Sequence, residues 1–286
     1  MLIRERILLQ LLRAAGRAVS RVELVKWAFL LRQDRASVVG ETFYEFLPHR
    51  RGPYSFVLRR EMDRLVADGI VSGEGETWEW IRSESASGLP AEDARTVASV
   101  CHRYREIAEG ELLDDVYRRF PEFTMCSDTR PLTGRPTGTL QVHTCGYEGV
   151  SIDGFLWLLI RSGIRRLVDV RRNPIARRYG FHKTTLALLC REVGIEYRHL
   201  PELGIASEHR KGDSAFVSRD DLLAWYESEH LPTVPAAVQE VAESVARRPT
   251  AVMCQEANPC ECHRSRLAHR VAELTGLPVA HLRPSS

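Results

Sequence analysis

Residues 140–149 read LQVHTCGYEG, a β-rich run that ends in Gly146-Tyr147-Glu148. The same form, a short β-type run followed directly by polar or unusual residues, recurs downstream. These runs span 140–145, 166–170, 196–199, 250–254 and 279–282, and helical patterns lie between them at 153–162, 183–193, 219–229, 235–247 and 263–275. Strands that alternate with helices predict an α/β domain with a doubly wound, mostly parallel, Rossmann-like sheet.

Polar residues collect at the ends of the first four runs. Because parallel strands end at the same edge of a sheet, and ligands of such sheets bind beyond that edge, we expect these residues to form one site. In chain order they are Gly146, Tyr147, Glu148, Asp169, Arg171, Arg172, Asn173, His199, Cys254, Glu256, Cys262, His263 and Arg264.

The front of the chain has a different pattern. Apolar residues at helical spacing predict a helix that ends at Gly16, and Ser20 with Glu23 predicts a capping box for a second helix. A third helix is predicted over 54–68 and a small hairpin over 70–80. Three helices followed by a hairpin is the order of a winged helix, so we predict an α-helical winged-helix-like domain over residues 1–82.

The third predicted helix has a basic face. Residues 44–71, YEFLPHRRGPYSFVLRREMDRLVADGIV, resemble the winged-helix-like module of some phage- and toxin-associated bacterial proteins. A basic third helix enters a DNA groove in winged helices, whereas the same arginines also suit a solvated helix face. The candidate DNA-binding residues are Arg50, Arg51, Tyr54, Arg59, Arg60 and Arg64.

Composition restricts the class of protein. The 286 residues, 44% hydrophobic and 27% charged, are enough for two domains with separate cores. No run of eighteen or more apolar residues appears, and charges interrupt the first ten residues, so we expect no membrane partner, no secretory signal and a cytoplasmic location. Seven cysteines, an odd number, do not suggest a disulfide framework.

Two stretches rich in turn residues mark the domain boundaries. Residues 83–90 are rich in Ser, Gly and Glu, and residues 121–138 are rich in Pro, Thr and Gly, with two helical patterns between them. We interpret 83–138 as a linker with helical segments and 139–286 as an α/β catalytic domain.

Motifs in this last region resemble those of a known family. The motifs are TCGYEG (144–149), LVDVRRNP (167–174), GFHK (180–183), IEYRHLPELG (195–204) and MCQEANPCECHRSRLA (253–268). Their order and spacing are similar to those of the domain of unknown function 488 family. The resemblance implies a small cytoplasmic α/β protein and, with the winged-helix-like half, suggests a role in nucleic-acid modification, repair or phage defence.

Cysteines and a histidine cluster near the C-terminus. Cys254, Cys260, Cys262 and His263 invite a zinc interpretation, because thiolates and imidazoles at short spacing are common ligands. Only one residue separates Cys260 from Cys262, and no C-x-x-C pair occurs elsewhere, so we expect neither a metal nor another cofactor. A catalytic thiol is an alternative, since a helix start beside His263 and Arg264 would lower the pKa of Cys262.

Three carboxylates are the candidate catalytic groups, with His263. Glu148, Asp169 and Glu256 each follow or end a separate strand. They could form ion pairs that hold loops together, or one could stay free as a base while arginines and a helix N-terminus bind a phosphate. Aromatic rings would then stack on a base. The candidates for substrate contact are Gly146, Tyr147, Arg171, Arg172, Asn173, Phe181, His199, Cys254, Cys262 and Arg264.

This set of groups suits cleavage of an N-glycosidic bond, whose transition state has oxocarbenium character. The reaction needs a negative group near C1′ of the sugar and a donor near the leaving base, for which His199, His263 or Arg264 are candidates. We therefore predict a DNA glycosylase-like hydrolase that acts on a damaged or modified, extruded base and serves DNA repair or phage defence.

Three other functions fit the same sequence. The chain could be a DNA-binding transcriptional regulator with a ligand-sensing α/β domain. It could be a thiol- or metal-dependent enzyme that uses Cys254 and Cys262. It could also be a toxin–antitoxin or defence component whose front half binds a protein. The sequence does not determine the oligomeric state.

Overall fold

A computed structural model of the chain describes residues 1–34, 40, 43–81, 88–209, 216 and 218–283. The chain divides into two compact units, Met1–Gly134 and Arg135–Ser286. Within the described ranges, no helix has both the length and the apolar character that a membrane crossing requires.

The first unit is mainly helical. Its two small antiparallel sheets have the strand orders β1-β5-β4 and β2-β3. In chain order its elements are α1 (Ile3–Ala15), β1 (Val19–Ser20), α2 (Arg21–Gln33), β2 (Leu47–His49), β3 (Gly52–Tyr54), α3 (Phe56–Ala67), β4 (Val71–Ser72), β5 (Thr77–Trp80), α4 (Ala91–Tyr104) and α5 (Glu109–Arg119).

Local signals explain where the first helices begin and end. Gly16 ends α1 in the left-handed conformation, with φ of 63°, which glycine adopts without a steric cost. The Ser20 side chain accepts a hydrogen bond from the Glu23 amide, and the Glu23 carboxylate accepts one from the Ser20 amide. The predicted capping box of α2 is therefore confirmed.

The segment interpreted as a linker supplies two helices to the first unit. Val97 and Cys101 on α4, and Leu112 and Val116 on α5, are fully buried in the same core as α1 and α2. Because these apolar residues recur at helical spacing, the two helices can bury one face each against that core. Residues 83–87 of the segment lie outside the described residues.

The second unit is an α/β domain whose five-stranded sheet is parallel throughout, in the order β10-β6-β9-β7-β8. All five predicted strands are present, so the predicted α/β class is confirmed. The elements are β6 (Val142–Gly146), α6 (Ile152–Arg161), β7 (Arg166–Asp169), α7 (Lys183–Glu192), β8 (Glu196–His199), α8 (Arg219–Trp225), α9 (Leu231–Thr233), α10 (Pro235–Arg247), β9 (Thr250–Cys254), α11 (His263–Thr275) and β10 (Val279–His281).

The position of β9 places the polar strand ends side by side. The chain runs outward from β6 through β7 to β8 and then returns, so that β9 lies between β6 and β7. Every residue of β6 and β9 is buried, as expected for central strands of a parallel sheet. At their carboxyl ends Gly146 pairs with Cys254, and Asp169 pairs with Met253 on one side and His199 on the other.

Candidate functional site

The loop after β9 lies directly against the end of β6. A Cβ atom added to Gly146 would lie 1.9 Å from the carbonyl oxygen of Glu256, so only glycine allows this approach. The amides of Tyr147 and Glu148 both donate to the Gln255 carbonyl, at 3.1 and 2.9 Å. Gly146 is therefore a packing residue that fixes where Glu256 lies.

Two predicted site residues hold this loop in place. The exposed Glu148 carboxylate accepts a hydrogen bond from the Ala257 amide at 3.0 Å. The Arg264 guanidinium, only 1% exposed, donates to the carbonyls of Glu256 and Ala257 at 2.6 and 3.1 Å. Because its Nη atoms bind the loop and its side chain is buried, Arg264 positions backbone and is not available to a phosphate.

Asp169 and Arg171 form a buried ion pair. Arg171 Nε and Nη2 donate to the two oxygens of Asp169 at 2.9 and 2.6 Å, and the Tyr197 hydroxyl donates at 2.7 Å. Asp169 is fully buried and Arg171 is 6% exposed. Of the two interpretations of the strand-end carboxylates, the structural ion pair describes Asp169, because its charge is already neutralised within the protein.

The predicted stacking residues face each other. The rings of Tyr147 and Phe181 are 4.2 Å apart and nearly parallel, and both side chains are buried. Arg171 Nη1 donates to the Tyr147 hydroxyl at 3.1 Å. Burial raises the pKa of Tyr147, although the nearby Arg171 charge lowers it in part. With these contacts made, the two rings build the wall beside the ion pair instead of offering free faces to a base.

Three further predicted residues, His199, Arg172 and Asn173, lie at this edge of the sheet. His199 Nε2 lies 2.9 Å from the Arg171 carbonyl oxygen, and Arg172 Nη1 donates to the Pro201 carbonyl at 3.4 Å. The side chains of Arg172 and Asn173 are exposed. His199 is thus bonded within the sheet edge, whereas Arg172 and Asn173 face solvent.

Cys254, Cys262 and His263 come together, and Cys260 does not. The ligand-type atoms of these three residues all lie within 4.8 Å of one another. Cys254 is the last residue of β9, Cys262 caps α11 and His263 is its first residue, so the fold joins a strand end to a helix start. Cys260, between them in the sequence, is exposed.

Glu256 completes this cluster. Its Oε2 lies 3.2 Å from the Cys254 Sγ and 3.0 Å from the Cys262 Sγ. Burial raises the pKa of Glu256, but hydrogen bonds from the Cys262 thiol, a backbone amide and the Cys254 thiol, together with the charge of His263, more than offset burial, so this pKa lies below its ordinary value. Burial raises the pKa of Cys262 well above that of a free thiol, which contradicts the predicted lowering.

A cavity of about 230 Å³ opens beside the cluster. Of its described lining residues, the sequence predicted only Glu256, Cys262 and His263 as site residues. For Ile205, His209, Phe216 and Ser218 the signal was the long segment between β8 and α8, whose sequence shows no strand pattern; such segments in compact domains often carry function. The other lining residues are Ile205, His209, Phe216, Ser218, Arg219, Leu222, Leu223 and Glu261.

The first unit has a separate basic cavity of about 210 Å³. Four predicted DNA-binding residues, Arg50, Arg51, Tyr54 and Arg59, line it. Arg60 is not among the lining residues, and Arg64 forms an ion pair with the buried Glu5. The other residues of the wall are Arg21, Val22, Val25, Lys26, His49, Gly52, Glu76 and Trp78.

Lys26 is the most unusual cation of this cavity. Its Nζ donates to the Pro53 carbonyl at 2.8 Å, and the side chain is 2% exposed. Burial lowers the pKa of Lys26 to about 7, because the charged amine loses its hydration. Arg59, by contrast, is paired with Asp63 and lies over the Trp78 ring.

Residues 151–271 match the family model described as Domain of unknown function DUF488. The matched range lies within the second unit, Arg135–Ser286. Comparison of the chain with curated proteins gave no match, and comparison with solved structures gave none either.

The DUF488 match covers most of the described site. Asp169, Arg171 and the complete Cys254–Glu256–Cys262–His263 cluster lie inside the matched range. Gly146, Tyr147 and Glu148 precede it, at the end of β6. The range that matches the family model thus contains both the buried ion pair and the cavity-side cluster, and β6 supplies the surface against which the Glu256 loop packs.

Proposed function

We propose that this protein is a hydrolase that acts on nucleic acid, most simply DNA, and cleaves the N-glycosidic bond of a damaged or modified base. The observation that carries the proposal is the position of Glu256. Of the three candidate carboxylates, Asp169 is neutralised by Arg171 and Glu148 is bonded to the loop, whereas Glu256 lies in the wall of the cavity.

The cavity suits a single extruded base. Its volume of about 230 Å³ is below the range of roughly 300–1,000 Å³ typical of sites for drug-sized ligands. Enzymes that act on a base remove it from the stack and enclose it, which a site of this size permits. The Phe216 ring in the wall offers an apolar face to such a base.

The groups around the cavity supply the charges that the reaction needs. In the proposed step water adds to C1′, the bond from C1′ to the base nitrogen breaks, and the base leaves with a proton. Glu256 would accept the proton of the water and stabilise the positive sugar. His209 would protonate the base, because His199 and His263 have nitrogens that are already bonded to backbone carbonyls.

Among the lining residues that the structure describes, Arg219 is the cation that suits a phosphate. It begins α8, its side chain is 54% exposed, and its Nη1 donates to the Glu261 carbonyl at 2.8 Å. Arg171 and Arg264 point their guanidinium groups into buried protein partners instead. A guanidinium held at the mouth of the cavity would orient the phosphate of the extruded nucleotide.

The first unit would hold the nucleic acid. Arg50, Arg51 and Arg59 around one cavity, with Tyr54 and Trp78, combine positive charge with aromatic faces. In this proposal the first unit is the winged-helix-like, DNA-binding half, and the whole chain serves DNA repair or phage defence.

The test uses the full chain and a panel of oligonucleotides, duplex and single-stranded, that carry uracil, hypoxanthine, alkylated or hypermodified bases. We expect free base and an abasic site from at least one of them, detected by chromatography and by strand cleavage in alkali. Salt-dependent binding without base release from any substrate would refute the proposal in favour of a DNA-binding regulator.

The clustering of Cys254, Cys262 and His263 favours a second candidate, a metal-dependent hydrolase. A thiol nucleophile fits less well, because the Cys254 and Cys262 side chains are only 4% and 1% exposed. Substitution of Cys262 would abolish the activity of either a thiol enzyme or a metal-dependent enzyme. Only the activity of the metal-dependent enzyme would also fall when the protein is treated with a strong chelator.

A further inference from the structure

We infer that Cys254, Cys262 and His263 bind a zinc ion whose fourth coordination position faces Glu256 and the cavity. Two thiolates and one imidazole are soft and borderline donors that suit tetrahedral zinc. The three residues are at most 9% exposed, which keeps competing water away from the ligand atoms. The part of the inference that concerns Glu256 rests on the proposed function, because it assigns Glu256 a partner in the reaction. The zinc site itself does not depend on that function.

The distances between the ligand atoms fit one ion. Ligands at about 2.0–2.3 Å from zinc, at the corners of a tetrahedron, lie roughly 3.3–3.8 Å apart. His263 Nδ1 is 3.9 Å from the Cys254 Sγ and 4.0 Å from the Cys262 Sγ. These two distances exceed the tetrahedral range by only a few tenths of an ångström, and the two sulfurs lie within 4.8 Å of each other.

The other nitrogen of His263 supports the assignment. Its Nε2 lies 3.3 Å from the Val170 carbonyl oxygen, next to the end of β7. A donated hydrogen bond there fixes the tautomer that leaves Nδ1 free to bind a metal, and such a second contact is the rule for histidine ligands. The Tyr226 ring packs edge-on against the imidazole and restricts its rotation.

The ligands also sit on rigid elements. Cys254 is held by the fully buried central strand β9, and Cys262 and His263 by the first turn of α11. A zinc site between a strand end and a helix start does not show the ligand spacing of zinc fingers. The close spacing of Cys260 and Cys262 was the sequence argument against a metal. It does not apply to this site, because Cys260 is not among the three ligands.

Three protein ligands with an open fourth position is the pattern of catalytic zinc, whereas structural zinc has four protein ligands. The Glu256 Oε2 lies 3.2 and 3.0 Å from the two sulfurs, so it borders the open fourth position. A water bound there would donate a hydrogen bond to the half-buried Glu256 carboxylate. Zinc would lower the pKa of the water, and Glu256 would accept its proton.

The direct test is metal analysis of the full-length, reduced protein produced in zinc-supplemented medium. We expect one zinc per chain by mass spectrometry. After zinc is removed and replaced by cobalt(II), we expect visible absorption of tetrahedral cobalt and a thiolate charge-transfer band. Protein that contains no zinc and gives no such spectrum would overturn the inference.

Variants identify the ligands. Cys262→Ser and His263→Asn should each weaken zinc binding by more than the roughly 10–100-fold that loss of a residue hydrogen-bonded to a ligand costs, whereas Cys260→Ser, a control from the same loop, should bind zinc like the wild type. Glu256→Gln should keep the zinc. Equal loss in Cys260→Ser and Cys262→Ser, or loss of zinc in Glu256→Gln, would contradict the assignment. The circular dichroism spectrum of each variant separates ligand loss from unfolding.

Two results distinguish this inference from the proposed function. Zinc bound through these ligands without release of any base would leave the zinc site in place and refute the glycosidic reaction. Base release by protein that contains no zinc and binds none would support the glycosidic reaction and overturn the zinc site.

Discussion

Arg171→Met removes the cation that faces the fully buried carboxylate of Asp169. The two side chains share hydrogen bonds of 2.9 and 2.6 Å, with little access to water. Removal of one partner of a buried pair leaves an uncompensated charge and typically costs about 3–5 kcal/mol. Asp169 would keep the Tyr197 hydroxyl and the backbone amide of residue 171 as donors. We therefore expect a loss near the lower limit, about 3 kcal/mol.

Hydrogen exchange of the β7 amides is the suitable assay, because it reports the opening of the second unit alone. Unfolding of the whole two-unit chain would not give one well-defined free energy. The double variant Asp169→Asn with Arg171→Met should recover at least about 1 kcal/mol relative to Arg171→Met, since it buries no lone charge. A loss below about 1 kcal/mol in the single variant, or strict additivity in the double variant, would refute a structural role for the pair.

Three further predictions address other parts of the molecule. The folded state disfavours the charged form of Lys26, so the stability of the first unit should rise with pH from about 7 toward 10.5. The rise should be up to about 1 kcal/mol per pH unit, and denaturant titrations of Lys26→Met should not show it. Gly146→Ala should destabilise the second unit by about 3 kcal/mol, because its Cβ would overlap the Glu256 carbonyl, and an unchanged melting temperature would contradict this contact. Arg51→Ala should reduce the salt slope of DNA binding by about 0.9, whereas Arg64→Ala, which removes the partner of Glu5, should leave the slope unchanged.

The sheet could be predicted from sequence for a physical reason. Strand β9 is buried on both faces and contains the continuous apolar run 251–253, and the equally buried β6 combines apolar residues with the β-favouring Thr144. Their parallel order then places Gly146, Asp169, His199 and Cys254 at one edge without further information. The capping box of α2 is equally local, because the hydrogen bonds that define it join Ser20 and Glu23, three residues apart.

The roles of individual site residues depend on pairings that local sequence does not encode. Nothing near Asp169 in the sequence indicates that Arg171 turns back to neutralise it, or that Tyr197 of the next strand completes the pair. Cys254 and His263 meet only because β9 ends where α11 begins. The cavity wall contributed by His209 comes from a segment without periodicity, and Arg219 begins a helix that the sequence predicts without linking it to the cavity.

The central claim is that the reacting group is Glu256, at the cavity beside the Cys254–Cys262–His263 cluster. The most direct measurement is the single-turnover rate of base release by Glu256→Gln and Glu148→Gln, on the best substrate of the oligonucleotide panel. Positioned proton transfer contributes about 10²–10⁴-fold to a rate, so Glu256→Gln should be slower than the wild type by at least about 100-fold. Glu148→Gln should stay within a few-fold of it. Equal rates for Glu256→Gln and the wild type would contradict the account.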